Sequence, residues 1–121
     1  MKLHFTRLNH VQICIPPGEE AKARDFYGGV LGLEEIEKPE ALKPNGGLWF
    51  SIADVQLHIG AEEPAGKSKC HPAFEVEGLA EIKRYLIENG VRVKDETEVP
   101  GMSRFSLFDP FDNRIELMEK V

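Results

Sequence analysis

Hydrophobic and polar residues alternate along several short segments of the chain, and this alternation predicts β-strands. In residues 7–15 the apolar positions are Leu8, Val11, Ile13 and Ile15, and prolines follow at once, which is typical of a strand end. The same pattern predicts seven more strands, at residues 33–38, "LWFSI", "VQLHIG", "HPAFEV", "VRVKDE", "RFSLF" and "RIELMEK".

Two segments show helical spacing instead. Residues 19–32 place Ala23, Phe26, Tyr27 and Val30 on one face, with a weaker end at two adjacent glycines. Residues 79–90 are the clearer helix, ended by Asn89-Gly90. The chain therefore predicts the element order β-α-β-β-β twice, an α+β fold.

The two halves repeat each other at an offset of 58 residues. The matched pairs are Tyr27 and Tyr85, Gly32 and Gly90, Phe50 and Phe108, Asp54 and Asp112, and also His58 and Glu116. His10 and His71 match at an offset of 61, because the first half has a longer strand-to-helix link. Neither half has enough apolar surface to fold alone, so we expect one domain over 1–121, with module 1 at 7–60, module 2 at 70–120 and a linker at 61–69.

Composition restricts the possible functions. The net charge of −6 and the scattered Lys and Arg residues argue against a nucleic-acid partner. No apolar run reaches the roughly 18 residues of a membrane span, and no secretory signal is evident at the N-terminus. Two cysteines do not make a disulfide framework, so a reduced, cytoplasmic setting is expected.

Four potential metal ligands fall on equivalent strand faces. Side chains alternate between the two faces of a strand, and His10, His58, His71 and Glu116 all lie opposite the apolar face of their strands. A single histidine on a strand is more often structural than a ligand. Four such residues at repeat-related positions favour a site for Zn, Ni, Co, Mn or Fe.

Other polar and aromatic residues are candidates for substrate binding or catalysis. Glu116 and Glu75 are candidate catalytic carboxylates, although Glu75 is equally consistent with a solvated charge. Cys14 is a candidate contact or, more often in such a position, a small core residue. The full set of candidate substrate contacts is Gln12, Cys14, Trp49, Gln56, Arg104 and Phe108.

Three strings resemble the vicinal oxygen chelate superfamily, which includes glyoxalase I, fosfomycin-resistance thiol transferases, bleomycin-resistance proteins and extradiol dioxygenases. They are "LNHVQICI", "ARDFYGGVLGLEE" and "DPFDNRIELME", and together with the repeat they cover nearly the whole chain. The resemblance implies two paired βαβββ modules around a cleft. It also implies a divalent metal that chelates neighbouring oxygens of a small substrate.

The resemblance also implies which residues bind the metal. His10, His71 and Glu116 match three ligands, whereas His58 stands where glyoxalase I usually has a glutamate, so lactoylglutathione lyase activity is expected to be weak or absent. The thiol transferases use only the other three, which makes His58 a fourth ligand or a substrate contact. Isomerisation, thiol addition and ring-cleaving dioxygenation remain open. So does a non-catalytic antibiotic-binding protein. A homodimer is expected, with modules paired within or between chains.

Overall fold

A computed structural model describes residues 1–63 and 68–121. The chain forms two compact units, the first spanning Met1–Glu63 and the second following it to Val121. Each unit is a four-stranded mixed sheet with one main helix. This confirms the predicted α+β fold of two βαβββ modules. No helix in the described part of the chain is long and apolar enough to cross a membrane.

The first unit follows the predicted order of elements. Its elements are β1 (His10–Ile15), α1 (Glu20–Arg24), a π-helical turn (Asp25–Val30), β2 (Glu34–Ile36), a 3-10 helix (Glu40–Asn45), β3 (Leu48–Ile52) and β4 (Val55–Ala61). The strand order in the sheet is β1-β4-β3-β2. Strand β1 runs parallel to β4, and the other pairs are antiparallel.

The second unit has the same topology. Its elements are β5 (Ala73–Glu75), α2 (Leu79–Glu88), β6 (Arg92–Asp95), β7 (Met102–Phe108) and β8 (Arg114–Lys120). The strand order is β5-β8-β7-β6, with β5 parallel to β8.

The strand registers confirm the internal repeat. In the first unit Gln12 pairs with His58, and in the second Ala73 pairs with Glu116. These are equivalent pairs, because Gln12 and Ala73 differ by 61 positions and His58 and Glu116 by 58. The two offsets read from the sequence therefore describe one parallel strand pair that occurs in both units.

Apolar alternation explains which sheet face is buried. Ile15, Leu57, Leu107 and Ile115 are each at most 2% exposed. Burying an aliphatic side chain of this size contributes about 1.5–3 kcal/mol relative to leaving it exposed. Tyr27, fully buried in the π-helical turn, packs edge-on against Phe26 with ring centroids 5.0 Å apart.

Several predicted boundaries differ from the structure. Strand β1 begins at His10 and not at residue 7, and residues 1–9 form no regular element. The predicted helix at 19–32 changes from α to π geometry at Asp25, where the two glycines that follow weaken α-helical propensity. Strand β5 is shorter than predicted, so His71 lies before it. Part of the predicted linker, 64–67, lies outside the described residues.

Candidate functional site

The first unit brings His10 and His58 together on the face of the sheet opposite the buried aliphatic residues. Their imidazole rings stack with centroids 4.0 Å apart and an interplanar angle of 17°. The contact follows from the register, since β1 and β4 are neighbours and His10 lies beside Gln56 while His58 lies beside Gln12.

His58 is held between two rings. Trp49, its partner on β3, stacks on it at 3.8 Å and 3°, so His10 and Trp49 cover the two faces of the His58 ring. His58 is only 6% exposed. Burial, followed by the charges of His10 and Lys38, lowers its pKa. The ring is therefore held in the neutral form that binds metals.

Hydrogen bonds at the two imidazoles leave one nitrogen of each ring available. His58 Nε2 donates to Oε1 of Gln56 over 2.9 Å, which leaves Nδ1 as the lone-pair nitrogen. His10 Nδ1 donates to Oδ1 of Asn9 over 2.9 Å, which leaves Nε2. Metal-binding histidines commonly use the second nitrogen in this way to fix the tautomer and ring orientation.

The second unit brings His71 and Glu116 together. His71 Nδ1 donates to the backbone carbonyl of Lys69 over 2.7 Å, and Nε2 lies 3.2 Å from Oε1 of Glu116. An imidazole nitrogen and a carboxylate oxygen are both atoms that bind divalent metals, so this pair supplies two potential metal ligands.

Arg104 contacts the same carboxylate oxygen. Its Nη1 donates to Oε1 of Glu116 over 3.0 Å, and its Nε donates to the Thr97 carbonyl over 2.8 Å. The Glu116 side chain is 5% exposed, and a carboxylate so buried needs compensating charge. Arg104 supplies that charge, and it would compete with a metal for the same oxygen.

Each unit thus presents one pair of potential ligands. Within residues 1–63 and 68–121, no three His, Cys, Asp or Glu side chains come together as a metal site. The first pair offers two imidazoles and the second an imidazole and a carboxylate, and donors of both kinds suit Zn and the first-row transition metals. By donor chemistry, each pair fits the metal that the sequence predicts.

A cavity of about 690 Å³ opens beside the His10–His58 pair. It is lined by three of the predicted substrate contacts, Gln12, Trp49 and Gln56, and by Lys38, which sequence reasoning missed. A Cβ atom at Gly60 would lie 2.7 Å from the Gln12 amide nitrogen, so a glycine lets that side chain lie flat over β4.

Cys14 and Glu75 have less distinctive surroundings. The Cys14 thiol lies 3.7 Å from Oε2 of Glu62. Burial and the Glu62 charge raise the pKa of Cys14, so the thiol stays protonated and is a poor nucleophile. The Glu75 side chain is 61% exposed and lies 4.0 Å from Lys120 Nζ.

Phe108 lies in a different cavity, within the second unit. The Arg92 guanidinium lies 4.5 Å above the Phe108 ring. The cavity, about 570 Å³, is also lined by Lys69, Lys94 and Arg114. Sequence reasoning missed these cations as site residues, although the alternation in "VRVKDE" places Arg92 and Lys94 on one face.

A buried polar network supports the same sheet. Ser106, fully buried, donates to Oε1 of Glu96 over 2.7 Å, and Arg114 contacts the same oxygen at 2.8 Å. The Ser106 hydrogen bond is the main cause that lowers the pKa of Glu96, and the Arg114 charge adds to it. Because Ser106 pairs with Glu116 across β7 and β8, the network fixes the strand that carries Glu116.

Comparisons with known proteins agree with this fold. The family model of the glyoxalase/bleomycin resistance protein/dioxygenase superfamily matches residues 7–117. The chain belongs to this superfamily, which confirms the predicted resemblance. None of the curated proteins is similar enough to be matched to it.

Solved structures show how widely the fold is shared. A glyoxalase-family protein from Bacillus anthracis is 44% identical, with a TM-score of 0.93 and all of both chains covered. The fosfomycin resistance protein FosX from Listeria monocytogenes is 20% identical, with a TM-score of 0.78 over 98% of this chain and 96% of that one. TnmS3, an antibiotic-binding protein from Streptomyces sp. CB03234, is 21% identical, with a TM-score of 0.73 over 98% and 100%.

Proposed function

We propose that the protein is a divalent-metal-dependent enzyme in which His10, His58, His71 and Glu116 form one ligand set. The observation that carries the proposal is the repeated strand pair, which gives each unit two donors at equivalent positions. In the first unit, hydrogen bonds to Asn9 and Gln56 leave one ring nitrogen of His10 and one of His58 for a ligand. Zn, Ni, Co, Mn and Fe all suit such a set.

The substrate proposed for this site is a small molecule with two neighbouring oxygens. A bound divalent ion supplies Lewis-acid polarisation of a carbonyl or hydroxyl oxygen. Gln12 and Gln56 provide amide donors and acceptors, and Trp49 a flat wall, to orient such a molecule. Isomerisation, thiol addition and ring cleavage all belong to this chemistry.

Glu116 is the carboxylate to which we assign proton transfer. It is buried, and His71 and Arg104 hold its Oε1 in one position, as a general base requires. Glu75 faces water beside Lys120, which favours the solvated alternative for that residue. Arg104 is proposed to hold a substrate oxygen once Glu116 binds the metal.

Metal content tests the proposal directly. Protein prepared without chelator should carry about one divalent ion per ligand set, and His10→Ala and Glu116→Ala should each lose most of it. His4→Ala is the matched control, because His4 is exposed and lies outside every strand. Full metal content in both His10→Ala and Glu116→Ala would reject the ligand assignment.

One observation favours a second candidate, a non-catalytic protein that binds an aromatic antibiotic. The 690 Å³ cavity has Trp49 in its wall, and aromatic side chains are common binding surfaces for planar ligands. This alternative predicts tight binding of a planar ligand to metal-free protein, unchanged by His71→Ala. The proposed enzyme function predicts instead that binding of a small-molecule ligand depends on the metal.

We also propose a cytoplasmic homodimer. Within the described residues neither Cys14 nor Cys70 forms a disulfide, as expected in a reducing compartment. Leu3, Phe5 and Leu8 are 62–84% exposed, and each sheet ends in open edge strands, features that favour association with a second chain.

A further inference from the structure

The cavity in the second unit is unusually basic for this protein. The chain carries a net charge of −6, yet four cationic side chains and one carboxylate line the cavity. These cations are Lys69, Arg92, Lys94 and Arg114, and the carboxylate is Asp112. We call this space the basic cavity. Such a local reversal of sign concentrates anions.

Two of the four cations are already balanced by carboxylates. Arg92 pairs with Asp112 at 2.8 Å, and Arg114 pairs with Glu96 at 2.8 Å. Among residues 1–63 and 68–121, neither Lys69 nor Lys94 makes an ion pair. The Lys94 charge acts on Glu96 without a direct ion pair. The ammonium groups of Lys69 and Lys94 are therefore the cations of the basic cavity that remain for an external anion.

The basic cavity adjoins the Glu116 half of the candidate site. Phe108 pairs with Arg114 across β7 and β8, and Arg114 lies two residues before Glu116 on the same strand face. That spacing corresponds to about 7 Å. Lys69 links the two as well, because it is one of the residues that line the basic cavity and its carbonyl accepts a hydrogen bond from His71.

One wall of the basic cavity is apolar and flat. Phe108 lines it, and the Arg92 guanidinium covers the ring at 4.5 Å. An arginine on an aromatic ring presents both a planar surface and hydrogen-bond donors. A volume of about 570 Å³ admits a ring and its acidic group.

We propose that the basic cavity binds the acidic group of a small planar organic anion, a carboxylate, phosphate or phosphonate, through Lys69, Lys94 and Arg92. That this anion is the substrate of an enzyme rests on the proposed function, but its binding does not require a metal. The expected molecule places its acidic oxygens among the cations and its planar part on Phe108. Its reacting oxygens then lie toward Glu116.

The test uses phenylphosphonate as a probe on the metal-free full chain in the presence of chelator. Titration calorimetry and backbone amide NMR shifts measure its affinity and its location. Lys94→Gln and Arg92→Gln should each weaken binding at least about fivefold, since each removes a charge-assisted contact. Lys22→Gln and Arg84→Gln remove the same charges outside the basic cavity and should leave affinity unchanged.

The outcomes separate this inference from the proposed function. Shifts centred on Arg92, Lys94 and Phe108, together with the two losses, support the basic cavity. No binding by wild type at 10 mM, equal affinity in Lys94→Gln and Arg92→Gln, or shifts centred on Lys38 overturn it, whatever the metal content. If phenylphosphonate binds as expected but the chain takes up no metal, only the proposed function fails.

Discussion

At the scale of single residues, the chemistry of the candidate site depends on which ring nitrogen of each histidine makes a hydrogen bond, because the other nitrogen is the one left for a ligand. For His58, part of its surroundings could be predicted from the sequence. The alternation of apolar and polar residues predicted the strand face on which it lies, and the internal repeat matched it to Glu116. The Trp49 sandwich did not follow, because it depends on the β3–β4 register and on ring rotamers that a single sequence does not specify.

Arg104 is the residue whose replacement tests the Glu116 pocket. Arg104→Gln removes a positive charge from the carboxylate, so the affinity for a divalent ion should rise severalfold. Without metal the variant should be less stable by about 3 kcal/mol, because a buried carboxylate loses its partner. Competition with a chelating dye and thermal unfolding with and without Zn measure the two effects.

Arg104→Lys is the control for this substitution, since it keeps the charge. The metal affinity of Arg104→Lys should therefore stay closer to the wild-type value than the metal affinity of Arg104→Gln. A fall in metal affinity in Arg104→Gln would show that Arg104 supports metal binding and does not compete with it.

Glu96 predicts a pH dependence of stability. Its pKa is lowered in the folded protein by the Ser106 hydrogen bond and then by the Arg114 charge. A lowered folded pKa means that the carboxylate stabilises the fold above its unfolded pKa, and that this contribution is lost as pH falls through the folded value. Glu96→Gln should therefore unfold at a lower temperature than wild type at pH 7, and the difference should shrink by pH 3. A difference that is constant across this range would contradict the assignment.

At the scale of elements, the sequence predicted which strands and helices exist better than where they begin and end. The hairpins β3–β4 and β7–β8 each turn at a residue with positive φ, Ala53 and Asp112. Strand β5 is shorter than its alternation suggested, because pairing with β8 extends only over Ala73–Glu75. His71 nevertheless reaches Glu116, since Pro72 accepts a hydrogen bond from the Glu116 amide and fixes the chain there.

Among positions that determine how the strands pack, Gly47 gives the most specific prediction about stability. Its φ is +83°, and a Cβ atom there would lie 2.1 Å from the Ile59 carbonyl oxygen on β4. Gly47→Ala should therefore lower the free energy of unfolding by at least about 2 kcal/mol. Denaturant unfolding measures it. Gly29→Ala is the matched control, because no atom lies within 4 Å of its Cβ and its φ is not positive.

The β3–β4 pair carries Trp49 and His58, so the same substitution should also weaken metal binding. Equal stability of Gly47→Ala and Gly29→Ala would show that β4 does not approach Gly47 as closely as described.

At the scale of the whole molecule, the internal repeat is the most informative feature that the sequence contained. It predicted two βαβββ units and the ligand pairs at equivalent strand positions. It could not predict the basic cavity, because Lys69, Arg92 and Arg114 come from separate segments that only the fold brings together. Nor does a repeat determine whether the proposed ligand set is completed within one chain or between two.

Mixing variants distinguishes the two arrangements. A homodimer that exchanges modules should regain about one intact ligand set when a His10→Ala chain is combined with a Glu116→Ala chain, because one of the two sets then contains no substitution. Metal content of the re-annealed mixture measures this. Pairing within each chain predicts no recovery, and a monomer by light scattering at micromolar concentration would reject the dimer.

The most direct measurement of the central claim is X-ray absorption at the metal edge of the Zn-loaded protein. We predict a first shell of nitrogen and oxygen near 2.0–2.2 Å with the outer-shell scattering of three imidazoles. That imidazole signal should fall by about one third in His58→Ala and stay unchanged in His4→Ala. A shell of water oxygens without imidazole scattering, or a spectrum of His58→Ala identical to wild type, would contradict the proposed ligand set.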